Sequence, residues 1–91
     1  MLLLPATLTN QEARDALAML GQALKREPGQ EVVIDASSLQ QFDSAALAVL
    51  LECRRQAEAW GKGFAVRHTP PKLASLAKMY GVDPLLKLDA A

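Results

Sequence analysis

The chain has 91 residues and a mass of 9.8 kDa, the length of one domain. Its 51% hydrophobic and 22% charged content excludes a disordered chain, and 10 Lys+Arg against 10 Asp+Glu leave no electrostatic footprint for nucleic acid or an anionic membrane. One cysteine, Cys53, and one histidine, His68, exclude an intramolecular disulfide, a Cys-built zinc site and a multi-histidine metal cluster.

Near-zero net charge favours association, which points toward a partner-bound protein. No apolar run approaches the ~20 residues of a transmembrane helix. The opening Met1-Leu2-Leu3-Leu4-Pro5 lacks a basic flank and is too short for a signal peptide. The expected location is the cytoplasm.

Leu2-Leu3-Leu4 reads as a first strand cut off by Pro5. Thr9 and Glu12 have capping-box spacing. Ala13, Ala16, Leu17, Leu20, Ala23 and Leu24 then recur on one helical face, and Pro28-Gly29 stops the pattern. The first helix is predicted from about Asn10 to Arg26. Glu31-Val32-Val33-Ile34-Asp35 is a β-branched run, and its continuous apolar centre predicts a strand buried on both faces. A polar connection follows over Ala36 to Gln41.

Asp43 suits the N-cap of a second helix, with Phe42 and Leu47 at the staple positions around it. That helix is expected to reach Trp60 and stop at Gly61. Gly63 to Val66 or Arg67 is the third strand. Thr69-Pro70-Pro71 opens a third helix, with Leu73, Leu76, Ala77 and Tyr80 on its apolar face and Gly81 ending it. Asp83-Pro84 starts one more short turn through Lys87. Strand–helix alternation predicts an α/β layer whose later strands are parallel and joined by a right-handed crossover. In such layers ligands and partners favour the carboxyl ends of strands, where Asp35, Ser37, Ser38, Asp43 and Ser44 gather.

Helix two is unusual. Ala45 to Leu51 is apolar all the way round, which requires full burial or cover by another surface. A chain this short has few layers to bury a helix completely. The expected outward stripe is Ser44, Ala45, Ala48, Glu52 and Arg55, small at the helix start and charged further along. Small residues admit a close partner, and charges at the rim fix its orientation. A tight contact within the same domain is the other reading of the stripe.

Val32-Val33-Ile34-Asp35-Ala36-Ser37 followed by Phe42-Asp43-Ser44-Ala45-Ala46-Leu47 resembles the signature of STAS domains, found in anti-sigma factor antagonists and in transporter subunits. The resemblance covers nearly the whole chain, with a shortened part before helix one. It implies a STAS-like single α/β domain over residues 1–91, with a short mixed β-sheet packed by three main α-helices. Compact length, the Leu/Ala-rich helix two and Leu76-Ala77-Lys78-Met79-Tyr80-Gly81-Val82 resemble the MlaB branch of the family. That branch implies a cytoplasmic subunit bound to the ATPase subunit of an ABC phospholipid transporter, with the permease in the same complex. Membrane contact would then be indirect.

Phosphorylatable anti-sigma factor antagonists carry Asp-Ser-Ser-Gly and use the second serine. This chain has Ala45 there and Ala46 in place of the usual glycine, so that switch is chemically impossible at position 45. Ser44 matches the hydroxyl that MlaB-type proteins keep, which the resemblance places on the ATPase-facing surface.

Ser44 has three readings: partner contact, cap and phosphorylation site. Phosphate there would add about −1.5 to −2 charge, welcomed by the helix start and repelled by Asp43. Asp43 reads first as an N-cap, and Asp35 as a loop organiser bonding the amide of Ser37 or Ser38. His68 has no acidic neighbour evident in sequence, and no motif joins it to Ser44. Cys53 reads as a small buried hydrophobe, and Trp60 and Tyr80 as core anchors at helix ends. Lys72, Lys78 and Lys87 read as solvated, with a modest basic edge as the other reading. No Walker motif, nucleophile elbow, dinucleotide fingerprint or metal spacing occurs, so no catalytic residue, cofactor or metal is expected. The functions in view are a transporter accessory subunit, a kinase-bound signalling module, and a sensor of nucleotide or lipid at the Asp35–Ser44 end.

Overall fold

A computed structural model describes residues 2–90, with side chains through Leu88; Met1 of the opening run lies outside them. Six strands and four helices follow one another among the described residues: β1 Leu2–Leu3, β2 Thr7–Leu8, α1 Ala13–Arg26, β3 Glu31–Asp35, β4 Gln41–Phe42, α2 Ser44–Ala59, β5 Gly63–Thr69, α3 Pro71–Met79, α4 Asp83–Leu86 and β6 Leu88–Ala90. The main sheet has the order β1-β3-β5-β6. Every pairing in it is parallel, with Leu2 beside Ile34, Ile34 beside Val66 and Val66 beside Leu88.

The sheet is therefore parallel throughout, not mixed as expected. Each pair of neighbouring main-sheet strands is joined by a helical crossover, and a crossover returns the chain in the same direction. A second, two-stranded parallel pair joins β2 to β4, inside segments that read as connections. The β6 strand was likewise not expected.

Burial alternates along the two central strands. Val32, Ile34, Phe64 and Val66 are buried, while Val33 and Ala65 are only partly covered. The expected two-sided burial of β3 is thus corrected: helices bury one face of the sheet, and the other keeps access to solvent. Leu20 and Leu24 of α1, Leu50 and Cys53 of α2, Leu73 and Ala77 of α3 and Leu86 of α4 complete the core. The α1 and α2 helices pack on each other, and α2 also contacts β5 and α4.

Helix ends follow local chemistry. Glu12 accepts the Thr9 amide at 2.9 Å, and Thr9 donates its hydroxyl to the same carboxylate. This is one half of a capping box, and regular helix begins at Ala13 rather than Asn10. Both α2 and α3 end in Schellman motifs. Lys62 donates to the Ala57 carbonyl and Val82 to that of Ala77, with Gly61 and Gly81 at φ 72°. The β5 strand runs on to Thr69, which is buried in the strand instead of opening α3; Pro70 is the cap and Pro71 the first helical residue.

Candidate functional site

The start of α2 is built by Asp43. Its backbone is extended, at φ −132° and ψ −165°, and its carboxylate reaches two elements. Oδ1 accepts the Ala45 amide at 2.8 Å, and Oδ2 accepts the Asn10 amide at 3.2 Å. Asp43 thereby caps α2 and ties it to the turn that opens α1. Ser44 is exposed, and its hydroxyl has no hydrogen-bond partner among the described residues. The cap is the aspartate, so the serine oxygen remains available at the surface.

The apolar half of α2 is covered on most sides. Ala46, Leu47, Val49 and Leu50 are buried, Ala45 and Leu51 half-buried, and Ala48 exposed. Helices and sheet of the same domain provide the cover. The expected stripe of Ser44, Ala45, Ala48, Glu52 and Arg55 does lie along the open side, but it is not one continuous surface. Ser44 and Ala48 border a hollow of about 250 Å³ with Leu47, Leu51, Tyr80 and Val82. Ala48 and Arg55 border a larger groove on the opposite flank, against α1. Ala48 is the ridge between the two.

Further along, the Arg55 guanidinium holds the Glu52 carboxylate with two nitrogens, one of them Nε at 2.9 Å. Arg55 is the main cause that lowers the Glu52 pKa. These two charges satisfy each other on the surface of one helix.

Tyr80 is the residue that pattern reading misplaced. Its ring is 59% exposed and borders the Ser44 hollow, and the neighbouring Met79 is 78% exposed. Trp60 is also 50% exposed. Both aromatic residues sit at helix C-caps, where the following left-handed glycine turns the chain back and leaves the cap residue outside the helix face. Only Leu73 and Ala77 of α3 are fully buried. An aromatic residue directly before a C′ glycine is the signal that marks such a position.

Asp35 and Ser37 form a separate group. Asp35 Oδ1 accepts the Ser37 amide at 2.9 Å and lies 3.2 Å from His68 Nδ1. The Ser37 backbone bond is the largest cause that lowers the Asp35 pKa, with His68 a smaller one. The register pairs Asp35 with Arg67, so His68 stands one step beyond on the neighbouring strand. This acidic neighbour of His68 is invisible in the linear sequence. Among the described residues no hydrogen bond joins the Asp35 group to Asp43 or Ser44, and none joins Ser44 to His68.

Cys53 is buried, and burial pushes its thiol up to about 12. Among the described residues no three His, Cys, Asp or Glu side chains come close enough to hold a metal ion. No helix there is long and apolar enough to cross a membrane.

Strand order follows chain order from β1 to β6. The sheet therefore has no point where the order reverses, which is where doubly wound sheets open a ligand crevice. The small hollow beside Ser44 and the open groove beside α1 suit surface contact more than enclosure of a small molecule.

The family described as "Mlab, STAS domain" matches residues 2–87. This chain belongs to that family. Among solved structures, an Anti-sigma-factor antagonist (STAS) domain protein from Planctomyces limnophilus is similar, with a TM-score of 0.78 and 17% identity over 98% of this chain and 80% of that one. A protein named as an anti-sigma factor antagonist from Thermotoga maritima also gives a TM-score of 0.78, with 16% identity over 93% of this chain and 73% of that one. At this identity the two share a fold with the present STAS domain. No curated protein sequence matches the chain.

Proposed function

We propose that this STAS domain is a non-catalytic accessory subunit that docks on the ATPase subunit (MlaF-like) of an ABC phospholipid transporter. It stabilises and regulates that subunit, and so serves outer-membrane lipid asymmetry. Nucleotide chemistry belongs to the partner. The domain sits at the cytoplasmic face and meets the membrane only through the complex, which includes the permease.

One observation carries the reading. Exposed Ser44 and Ala48 lie beside the hollow bordered by Leu51, Val82 and exposed Tyr80. The protruding aromatic is the feature that fits an interface core, since tyrosine is enriched among residues that dominate binding, and the small side chains beside it let a partner come close. The family description supports the transporter as the setting. Asp43 and Ala45 belong to this face through the cap, whereas Glu52 and Arg55 are its charged continuation.

The test is affinity purification of the tagged chain from its own membranes in mild detergent, with bound proteins identified by mass spectrometry. Recovery of an ABC ATPase with its permease is expected. Recovery of a soluble kinase-like anti-sigma factor in their place overturns the reading.

That second outcome is the signalling alternative, which the two similar structures favour. Ala45 opposes it, because the position used by phosphorylatable relatives has no hydroxyl. Exposed Ser44 is the substitute acceptor. Incubation with a cognate kinase and intact-mass measurement decides, because an unchanged mass removes that alternative.

A further inference from the structure

The groove between α1 and α2 lies on the other flank of Ala48 and is open to solvent, with a volume of about 940 Å³. Leu17, Ala18 and Gly21 from α1 and Ala59 from α2 line it together with the Ala48 ridge, and of these Leu17 and Gly21 are half-buried. A Cβ added at Gly21 would stand 3.3 Å from Gln56 Oε1, so the Gln56 side chain lies over Gly21 at mid-groove. Trp60 closes one end, half exposed.

The charge of the lining is one-sided. Arg14, Lys25 and Arg55 border the groove, and no carboxylate does. The whole chain is neutral, with 10 cationic and 10 acidic side chains, so this imbalance is local. Glu52 engages Arg55 from outside the lining. Arg14 and Lys25 have no ion-pair partner among the described residues. They sit near opposite ends of α1, roughly 16 Å apart along its axis at the helical rise per residue.

We propose that this groove receives an acidic amphipathic helix of a partner protein. About three turns of such a helix match the length between Arg14 and Lys25. Its apolar side meets the apolar lining, and its carboxylates meet the two unpaired cations. Trp60 supplies an aromatic anchor at the end. An anionic bilayer offers the same charge, but a trough along the seam of two helices takes a rod better than a plane. The groove is separate from the Ser44–Tyr80 hollow except at Ala48, so one helix can hold two partner segments on its two flanks.

The experiment uses the full chain and a synthetic amphipathic peptide of about four helical turns, with leucines on one face and glutamates beside them. A twin peptide carries lysines for glutamates. Trp60 is the single tryptophan, so its emission reports the groove directly. The glutamate peptide is expected to shift Trp60 emission to the blue and to move amide resonances along α1. The lysine twin should bind about tenfold more weakly, as expected for two exposed charge pairs. The double variant Arg14→Glu/Lys25→Glu should reverse that preference. Should it fail to fold, Arg14→Gln/Lys25→Gln should abolish the preference without reversing it. Equal binding of the twins, silence with both peptides, or a response only to phosphatidylglycerol vesicles overturns the proposal.

Discussion

His68 Nδ1 lies 3.2 Å from Asp35 Oδ1, where β3 ends and the parallel β5 runs on beside it. The same Asp35 oxygen accepts the Ser37 amide, and these bonds lower the Asp35 pKa from its ordinary 3.8. Glu12 is lowered from 4.5 chiefly by the Thr9 hydroxyl, and Glu52 from 4.5 chiefly by Arg55. A carboxylate lowered on folding contributes its full stabilisation above its unfolded value and loses it as pH falls through the folded one. The melting temperature should hold from neutral pH to about pH 5 and then fall through the acidic range. The double variant Asp35→Asn/Glu12→Gln should fall less steeply. A parallel decline of variant and parent would contradict the assignment.

Ala48→Glu should remove partner binding while leaving the fold intact. The site is exposed, so the free protein buries no new charge. Within an interface the carboxylate would be stripped of water without a partner, a cost of about 3 kcal/mol or roughly a hundredfold in affinity. Co-purification with the ATPase, alongside a circular dichroism spectrum, checks both halves. A folded variant that still binds fully sinks the docking face.

Tyr80→Ala separates binding from stability. The ring is largely exposed, so unfolding should change by less than about 1 kcal/mol. Loss of an interface tyrosine should cost about 2 kcal/mol in binding. Calorimetric titration against the partner, with denaturant melts of the free chain, measures the two numbers. The reverse pattern would return Tyr80 to a structural role.

Thr69 is 1% exposed, and its Oγ1 has no hydrogen-bond partner among the described residues. Thr69→Val keeps the branched shape and removes the unsatisfied hydroxyl. The substitution should stabilise the fold by about 1 kcal/mol, which in a domain this small raises the melting temperature by roughly 4–8 °C. A lowered melting temperature would mean that the hydroxyl is paired in solution.

Cys53 should resist thiol reagents in the native state at mildly alkaline pH. Its sulfur is buried and its pKa pushed to about 12, so almost no thiolate is present to react. Labelling should appear only as denaturant opens the core, following the unfolding curve. Rapid labelling of the folded chain would contradict this burial.

Much of the architecture was legible because it is written in local chemistry. Asp43 as a cap, Gly61 and Gly81 as helix stops, and the apolar spacing from Ala13 to Leu24 each depend on residues within a turn or two of one another. Strands β2, β4 and β6 were not, since two or three residues carry no period, and their pairing is decided by distant segments. Val33 misled for a related reason: a continuous apolar run looks the same whether one or both faces are covered. The candidate site was read in part. The exposed stripe is visible from helical spacing, but its division at Ala48 depends on how α1 and the end of α3 flank α2. The approach of His68 to Asp35 needed the strand register.

Among the described residues the outer strands of the main sheet, β1 and β6, are two and three residues long. So short a margin offers an incoming chain few free amides and carbonyls to pair with, and both extension of the sheet and edge-to-edge aggregation are blunted. Recognition is then left to side chains displayed on helices. A partner's preference can accordingly be altered one surface residue at a time, without disturbing the hydrogen-bonded frame beneath.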